Sequence, residues 1–216
     1  MEQIKMRLRK IKNANEKLEE YGSIMVFDHL ERAGKWGEVF GNANPIILEI
    51  GMGKGQFISE NAIRHPENNY LGFEIAESIV LKAARKLGKL HLGNLRIIHA
   101  DAHDAERIFA PGEIAEIFLN FSDPWPKSRH AKRRLTFDNF LVAYENILKR
   151  PGIIELKTDN RHLFEYSLLR FNERRYRFLD LNLNLHEVPD ENIITTEYED
   201  KFVAAGNTIY YVKVEI

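Results

Sequence analysis

The segment that most constrains the fold is a short apolar run followed by three closely spaced glycines. Pro45 precedes Ile46-Ile47-Leu48-Glu49-Ile50, and Gly51-Met52-Gly53-Lys54-Gly55 comes directly after that run. Apolar residues then recur at helical spacing until Pro66 stops the segment. A strand, a glycine turn and a helix in this order are typical of nucleotide-binding α/β folds. The G-x-G-x-G spacing differs from the dinucleotide pattern G-x-G-x-x-G, so a nicotinamide-dependent oxidoreductase is the least favoured enzyme class.

The same alternation of strands and helices continues along the chain. Helices are indicated by apolar residues three and four positions apart, and we expect Thr136 to cap one of them and Pro151-Gly152 to end it. The alternation predicts an α/β domain with a doubly wound, mostly parallel sheet over residues 45–216, after an N-terminal extension and lead-in over residues 1–44. Further strands are expected at Asn69–Glu74, Leu95–Ala100, Ile114–Phe121, Ile153–Lys157, Tyr176–Leu185 and Thr208–Ile216.

Acidic residues lie at the ends of the first three predicted strands, where open α/β sheets bind ligands. Glu49 stands two residues before the first glycine, a position that suits a cationic ligand such as S-adenosylmethionine better than a pyrophosphate. Glu74 ends the second strand, and an acid near this spacing accepts hydrogen bonds from ribose hydroxyls. Asp101 follows the third strand, where it could hold an adenine amino group.

Residues 120–135, which read NFSDPWPKSRHAKRRL, combine a stiff segment with a cationic run. Because a proline disfavours helical geometry in the residue before it, Asp123 and Trp125 are expected to be extended at the end of a strand. A carboxylate and an aromatic ring beside a cationic patch indicate a site that handles a base while binding phosphates. A strand-ending turn followed by a solvated charge run is the alternative. The cationic run comprises Lys127, Arg129, His130, Lys132, Arg133 and Arg134.

The composition excludes other classes of site. The formal net charge is −1, so any nucleic-acid contact must come from local patches, and the absence of cysteine removes disulfides, thiolate zinc sites and thiol nucleophiles. No apolar run approaches the roughly 18 residues of a membrane span, and the N-terminus lacks a signal-peptide core, so we expect a cytoplasmic protein. We expect no metal, although His99, Asp101, His103 and Asp104 could be considered as ligands.

A basic segment begins the chain. Five cationic residues lie between Lys5 and Lys12, and Ile4, Leu8 and Ile11 could form a weak helical stripe. A frayed solvated terminus and an RNA-binding arm are both open interpretations of this segment.

A series of short motifs closely resembles the bacterial tRNA (guanine-N7-)-methyltransferase family. The resemblance runs in order over residues 45–202, and the run DPWPK-x-RH-x-KRRL is its most specific part. One departure is Ser128, where relatives often have a second lysine, so one cation is missing. The motifs are Leu48–Gly53, Phe73-Glu74, Ala100–Ala102, Asp123–Lys127, Arg129-His130, Lys132–Arg134, Lys157–Asp159, Thr196–Glu199 and Lys201-Phe202.

The resemblance implies a class I methyltransferase with seven strands, the last of them antiparallel. It implies S-adenosylmethionine as cofactor, tRNA as partner, and methylation at N7 of the guanosine at position 46 in the variable loop. We expect a monomer or a homodimer, between which the sequence does not decide. Asp123 would be the catalytic residue. The residues that would contact the cofactor are Glu49, Gly51, Gly53, Glu74, Asp101 and Asp123. Those that would contact the substrate are Lys127, Asp159, Thr196, Glu197, Tyr198 and Glu199. Those that would contact RNA are Arg129, His130, Lys132, Arg133 and Arg134.

The residues suit this chemistry because guanine N7 already carries a free lone pair and requires no general base. Catalysis then depends on alignment and electrostatics, and Asp123, Asp159 or Glu199 could stabilise the cationic product ring. Trp125 could stack on a base or simply pack in the turn. Two alternatives remain open: a methyltransferase acting on an exocyclic amine, since D-P-W-P loosely resembles the motif of that class, and a tRNA-binding protein that has lost turnover.

Overall fold

The computed structural model describes residues 17–216, which form a seven-stranded sheet. The strand order is β3-β2-β1-β4-β5-β7-β6. β7 runs antiparallel to both of its neighbours, β5 and β6, and all other paired strands are parallel. The predicted fold class, with the last strand antiparallel, is therefore confirmed. The strands are β1 Ile46–Ile50, β2 Asn69–Glu74, β3 Leu95–His99, β4 Ile114–Asn120, β5 Leu148–Thr158, β6 Arg177–Asn182 and β7 Tyr210–Glu215.

Helices cover both faces of the sheet. Side chains of successive strand residues point to opposite faces, and in β1 Ile47 joins one apolar core whereas Leu48 joins the other. The first core packs on α2 and α3, and the second on α1, α4, α5 and α6. The helices are α1 Trp36–Phe40, α2 Gln56–Arg64, α3 Glu77–Leu87, α4 Ala105–Ile108, α5 Asp138–Ile147, α6 Arg161–Glu173 and α7 Glu197–Ala204. Short 3-10 turns occupy Glu19–Tyr21, His29–Glu31, Gly88–Leu90, Ala102–Asp104 and Ser128–Arg133.

The lead-in to β1 packs on this framework. Met25 forms an isolated parallel bridge with Ile97 of β3. Trp36 is fully buried, and its indole N–H donates to the carbonyl of Ile108 over 2.9 Å. The expected helical stripe of Ile4, Leu8 and Ile11 lies outside the described residues. Within residues 17–216, none of the helices combines the length and the apolar character required to cross a membrane.

Two predicted boundaries around α5 are wrong. Thr136 does not cap the helix: its hydroxyl is buried 2.8 Å from Ser167 Oγ, and Phe137 occupies the N-cap position. The helix ends at Ile147, and Pro151-Gly152 lies inside β5 instead of stopping the helix. A proline fits there because the register between β4 and β5 shifts at this point, so residues 149–152 form no pairs in the ladder to β4. β6 is also shorter than predicted, since it ends at Asn182.

Candidate active site

The glycine turn after β1 is tied to the end of β2 and leaves open space beside it. The N–H groups of Gly51 and Met52 both donate to the carbonyl of Phe73, over 2.9 and 3.0 Å. Gly51 and Gly53 have φ angles of 82° and 58°, in the left-handed region that favours glycine. A Cβ added at either glycine would meet no described atom within 4 Å. The turn therefore presents a bare backbone that a ligand can approach closely.

Glu49 is a buried carboxylate directly before this turn. Its side chain is 1% exposed, and its Oε1 accepts a hydrogen bond of 2.9 Å from Asn120 Nδ2. Its Oε2 is buried and has no hydrogen-bond partner among residues 17–216. Burial raises the pKa of Glu49 to about 7, against the hydrogen bond from Asn120 and the positive charge of Lys157. A cationic ligand group at Oε2 would satisfy this oxygen and stabilise the ionised form.

Glu74 is the last residue of β2 and Asp101 follows β3, the two strands on one side of β1. Glu74 accepts hydrogen bonds from the backbone N–H groups of Gly53 and Ala76, over 3.2 and 2.8 Å, and burial raises its pKa. Asp101 Oδ1 accepts from the backbone N–H of His103 over 2.9 Å. Since β1, β2 and β3 are parallel neighbours, these acids line the same edge of the sheet as the glycine turn. The structure thus brings together Glu49, Gly51, Gly53, Glu74 and Asp101.

The residues considered as metal ligands have other contacts. His99 Nε2 lies 3.0 Å from the carbonyl of Ile75, and His103 Nδ1 lies 2.7 Å from Asp101. Asp104 accepts from Arg107 over 2.9 Å. Across the described part of the chain, no group of three or more His, Cys, Asp or Glu side chains is arranged to hold a metal ion.

The segment after β4 departs from the expected backbone geometry. Trp125 has a φ of 41° and Phe121 a φ of 50°, so the prediction that Trp125 is extended is wrong. Arg134 accounts for the shape, because its Nε donates to the Pro124 carbonyl over 3.2 Å and its Nη2 to the Trp125 carbonyl over 3.1 Å. The same guanidinium lies 4.4 Å from the ring centre of Tyr166 on α6. Tertiary contacts hold a strained backbone that local preference disfavours, as is common at functional sites.

The cationic run beside this segment is not uniform. Arg134 is half-buried and holds the backbone, as described above, whereas Lys127, Arg129 and Lys132 are exposed. Arg133 is exposed, and its guanidinium lies over the Trp125 ring at 4.7 Å. The His130 ring meets the same tryptophan edge-on, with 5.8 Å between ring centres. The run therefore presents four exposed cations, one of which stacks on Trp125, and a half-buried arginine that holds the backbone.

Glu199 of α7 is completely buried and already engaged. It forms a capping box with Thr196, in which each side chain accepts from the backbone N–H of the other. Its carboxylate also lies 3.2 Å from Lys157 Nζ and 2.8 Å from His186 Nε2. Lys157 Nζ further donates to the carbonyl of Ile194 over 2.7 Å. These contacts fix α7 and its lead-in loop on the end of β5.

Tyr198 joins α7 to the ends of β4 and β5. Its ring lies 5.2 Å from the Phe121 ring, centre to centre. Burial, together with the negative charges of Asp159 and Asp123, raises the pKa of Tyr198 to about 12. Burial also raises the pKa of Asp159. Asp123 is exposed, so the group formed by these two aspartates and Tyr198, called the mouth below, is open to solvent at Asp123.

Asn120, Lys157 and His186 have contacts that were not predicted from the sequence. Asn120 begins the segment of residues 120–135, and Lys157 begins the Lys157–Asp159 motif, but neither pattern indicates a role for them. The position of Lys157, a cation ending the apolar run of β5, was a usable signal, because a buried charge requires a partner. The partner itself, Glu199, is 42 residues away along the chain.

Comparison with known proteins decides the family. Residues 43–212 match a family model described as "Putative methyltransferase". A tRNA (guanine-N(7)-)-methyltransferase of Listeria welshimeri is 50% identical over 197 residues, which cover 91% of this chain and 92% of that protein. One of Bacillus velezensis is 46% identical and covers 97% of each chain. This chain belongs to the tRNA (guanine-N(7)-)-methyltransferase family.

Solved structures of other methyltransferases share the fold of this family member. The 16S rRNA (adenine(1408)-N(1))-methyltransferase from Catenulisporales acidiphilia is similar with a TM-score of 0.57 at 16% identity, covering 84% of this chain and 92% of that one. This likeness shows a shared fold. The open glycine turn and Glu49 Oε2 fit S-adenosylmethionine, whose amino group is cationic and whose adenosine offers hydroxyls to the acids of the β1–β3 edge.

Proposed function

We propose that this protein transfers a methyl group from S-adenosylmethionine to N7 of the guanosine at position 46 in the tRNA variable loop, forming N7-methylguanosine. Membership of the tRNA (guanine-N(7)-)-methyltransferase family supports the reaction. The observation that carries the assignment is the convergence of two acidic groups at one edge of the sheet. The first set comprises the acids around the glycine turn, Glu49, Glu74 and Asp101. The second set comprises Asp123 and Asp159 at the mouth beside Tyr198.

The first set would bind the cofactor. Glu49 Oε2 would accept a hydrogen bond from the cofactor's amino group, and Gly51 and Gly53 would let the backbone approach it. Glu74 and Asp101 lie at the carboxyl ends of adjacent parallel strands, where they would accept hydrogen bonds from the ribose and the adenine. When bound, S-adenosylmethionine supplies an electrophilic methyl group on a sulfonium.

The second set would bind and orient the guanosine. Asp123 and Asp159 carry carboxylates that can accept from the N1–H and the amino group of guanine, which leaves N7 on the opposite edge of the base. Their negative charge would also stabilise the positive charge that develops on the ring as N7 is methylated. Tyr198 keeps its phenolic proton, since its pKa is about 12, so it would serve as a donor or a stacking surface and not as a base.

Glu199 and Thr196 would contribute by holding α7 in place and not by contacting the guanosine directly. Glu199 is fully buried against Lys157 and His186, so its supported role is to fix α7 in place. On α7, Tyr198 packs beside Phe121, and Glu197 pairs with Lys86 of α3 over 2.9 Å. Lys127, Arg129 and Lys132 are exposed cations on the turn after β4 and would contact tRNA phosphates, with His130 and Arg133 around Trp125. Arg134 would contribute by holding the Pro124 and Trp125 carbonyls.

We propose a cytoplasmic enzyme that works without a metal ion, as monomer or homodimer. Titration calorimetry provides a first check, because S-adenosylmethionine should bind and NAD should not.

The decisive test of the chemistry is the pH dependence of single-turnover methyl transfer at saturating tRNA and cofactor. A neutral ring nitrogen loses no proton during attack, so the rate should be nearly constant from pH 7.5 to 9, where Glu49 is largely ionised. Attack by N1 requires a proton to be removed, and its rate would rise with pH. A rise approaching tenfold per pH unit, in protein that a melting control shows to be folded, would exclude direct N7 attack.

A further inference from the structure

Asn120 is a buried side chain that reaches across the sheet to the neighbouring strand. It is the last residue of β4, is 6% exposed, and donates from Nδ2 to Glu49 Oε1 over 2.9 Å. An amide cannot gain or lose a proton near neutral pH, so it is a fixed donor at this position. Because the bond occupies one carboxylate oxygen, it determines the direction in which the other oxygen points.

The charges around Glu49 decide how strongly the Asn120 hydrogen bond affects the ionisation of this carboxylate. Burial and the negative charges of Glu197 on α7 and Glu74 on β2 disfavour the ionised carboxylate. Lys157 on β5 favours it, but this ammonium group is already paired with Glu199. Asn120 is the direct hydrogen-bond donor to Glu49 in the part of the chain described, and it favours the ionised form more than Lys157 does.

We propose that Asn120 is a positioning residue for cofactor binding, which orients the Glu49 carboxylate so that Oε2 can receive the cationic amino group of S-adenosylmethionine. This inference rests on the proposed function, since it assigns a further residue to the same site. Asn120 also begins the segment that leads to Asp123, so the cofactor contact and the guanosine contact share one strand end.

The proposal predicts a proton linkage. Since the pKa of Glu49 is about 7 in the free protein, part of the population must lose a proton when a cation binds at Oε2. Affinity should therefore rise between pH 5.5 and about 7 and then level off. Removal of the Asn120 donor raises the pKa of Glu49 further, so the rise should extend to higher pH.

The experiment measures binding of S-adenosylhomocysteine, the stable demethylated product, by calorimetry between pH 5.5 and 8. Each titration is run in two buffers of different ionisation enthalpy, which gives the number of protons released. The variants are Asn120→Ala, which removes the donor, and the nearly isosteric Asn120→Asp, which adds a like charge. The control is Asn139→Ala, an exposed asparagine on α5.

At pH 7.5 the dissociation constant of Asn120→Ala should rise about 10-fold, the scale of one hydrogen bond to a charged group. Proton release at that pH should increase, Asn120→Asp should be weaker still, and Asn139→Ala should match the wild type. Folded Asn120 variants with the wild-type pH profile and proton release would overturn the proposal, whatever their affinity. If the wild-type protein itself does not bind S-adenosylhomocysteine, the proposed function fails first.

Discussion

Asn120 donates to one oxygen of Glu49 over 2.9 Å, whereas the other oxygen, Oε2, is buried without a hydrogen-bond partner in the described part of the chain. A half-satisfied buried carboxylate is costly to the folded protein. Its cost falls when a cation binds, so the arrangement makes the free protein less stable while favouring cofactor binding. Stability and affinity should therefore respond in opposite directions when Glu49 is neutralised.

Glu49→Gln should stabilise the protein in the absence of cofactor at pH 8 but not at pH 4.5. The pKa of Glu49 is about 7 in the folded protein and near 4.5 in the unfolded chain. The folded state therefore holds the proton of Glu49 more tightly, and the stability that this gives is fully present below pH 4.5 and is lost as the pH rises through 7. At pH 8 the variant should gain on the order of 1–3 kcal/mol in free energy of unfolding, measured by urea denaturation. Cofactor binding should weaken.

The control for this variant is Glu60→Gln, an exposed carboxylate paired with Arg64. It should leave the free energy of unfolding within about 0.5 kcal/mol of the wild type at both pH values. Equal stability of the wild type and Glu49→Gln at pH 8 would contradict the interpretation of Glu49 as a destabilising buried carboxylate.

Asp123→Ala should lower single-turnover methyl transfer roughly 100- to 1000-fold, the scale of one electrostatic contact in a transition state. Cofactor affinity and tRNA affinity are measured on the same protein to separate binding from turnover. Asp180→Ala, an exposed aspartate on the edge strand β6, is the matched control and should turn over normally. Normal turnover of a folded Asp123→Ala protein would transfer the catalytic role to Asp159.

Joint replacement of Arg129, Lys132 and Arg133 by glutamine should weaken tRNA binding and reduce its salt dependence. The slope of log affinity against log salt should fall by about 0.7–0.9 for each phosphate contact that is lost. Cofactor affinity should stay the same. An equal triple replacement of Lys35, Lys149 and Arg150, exposed cations near the lead-in and the start of β5, provides a charge-matched comparison. Identical slopes for the two triples would leave the cationic run as a solvated face.

Lys157→Met should destabilise the protein by about 3–5 kcal/mol, because it leaves the fully buried Glu199 without its cation. The double variant Lys157→Met with Glu199→Gln should recover a large part of this loss. Urea denaturation of the single and double variants gives the coupling free energy through a double-mutant cycle. A coupling near zero would show that His186 alone satisfies Glu199.

Local pattern made part of this molecule predictable. The strand, glycine turn and helix at residues 46–64 follow from a short window of sequence, and so does the placement of Glu49, Glu74 and Asp101 at strand ends. Residues near a strand end are fixed by the strand itself, so their position requires no knowledge of distant contacts.

The other features of the site could not be predicted from the sequence, because they depend on contacts between residues far apart in the chain. The Asn120–Glu49 bond joins residues 71 apart, and the Lys157–Glu199 pair joins residues 42 apart. The left-handed backbone at Trp125 opposes the local preference before a proline and exists because Arg134 holds the neighbouring carbonyls. In each case the deciding partner is a side chain that no local pattern identifies.

The identity and position of the methylated nucleoside provide the most direct test of the central claim. Unmodified tRNA transcript is incubated with the protein and S-adenosylmethionine carrying a deuterated methyl group, then digested and analysed by mass spectrometry against standards. A matched transcript with adenosine in place of the variable-loop guanosine is treated identically. We expect labelled N7-methylguanosine from the first transcript and none from the second. Label in N1-methylguanosine or an exocyclic methylamine, or equal labelling of both transcripts, would contradict it.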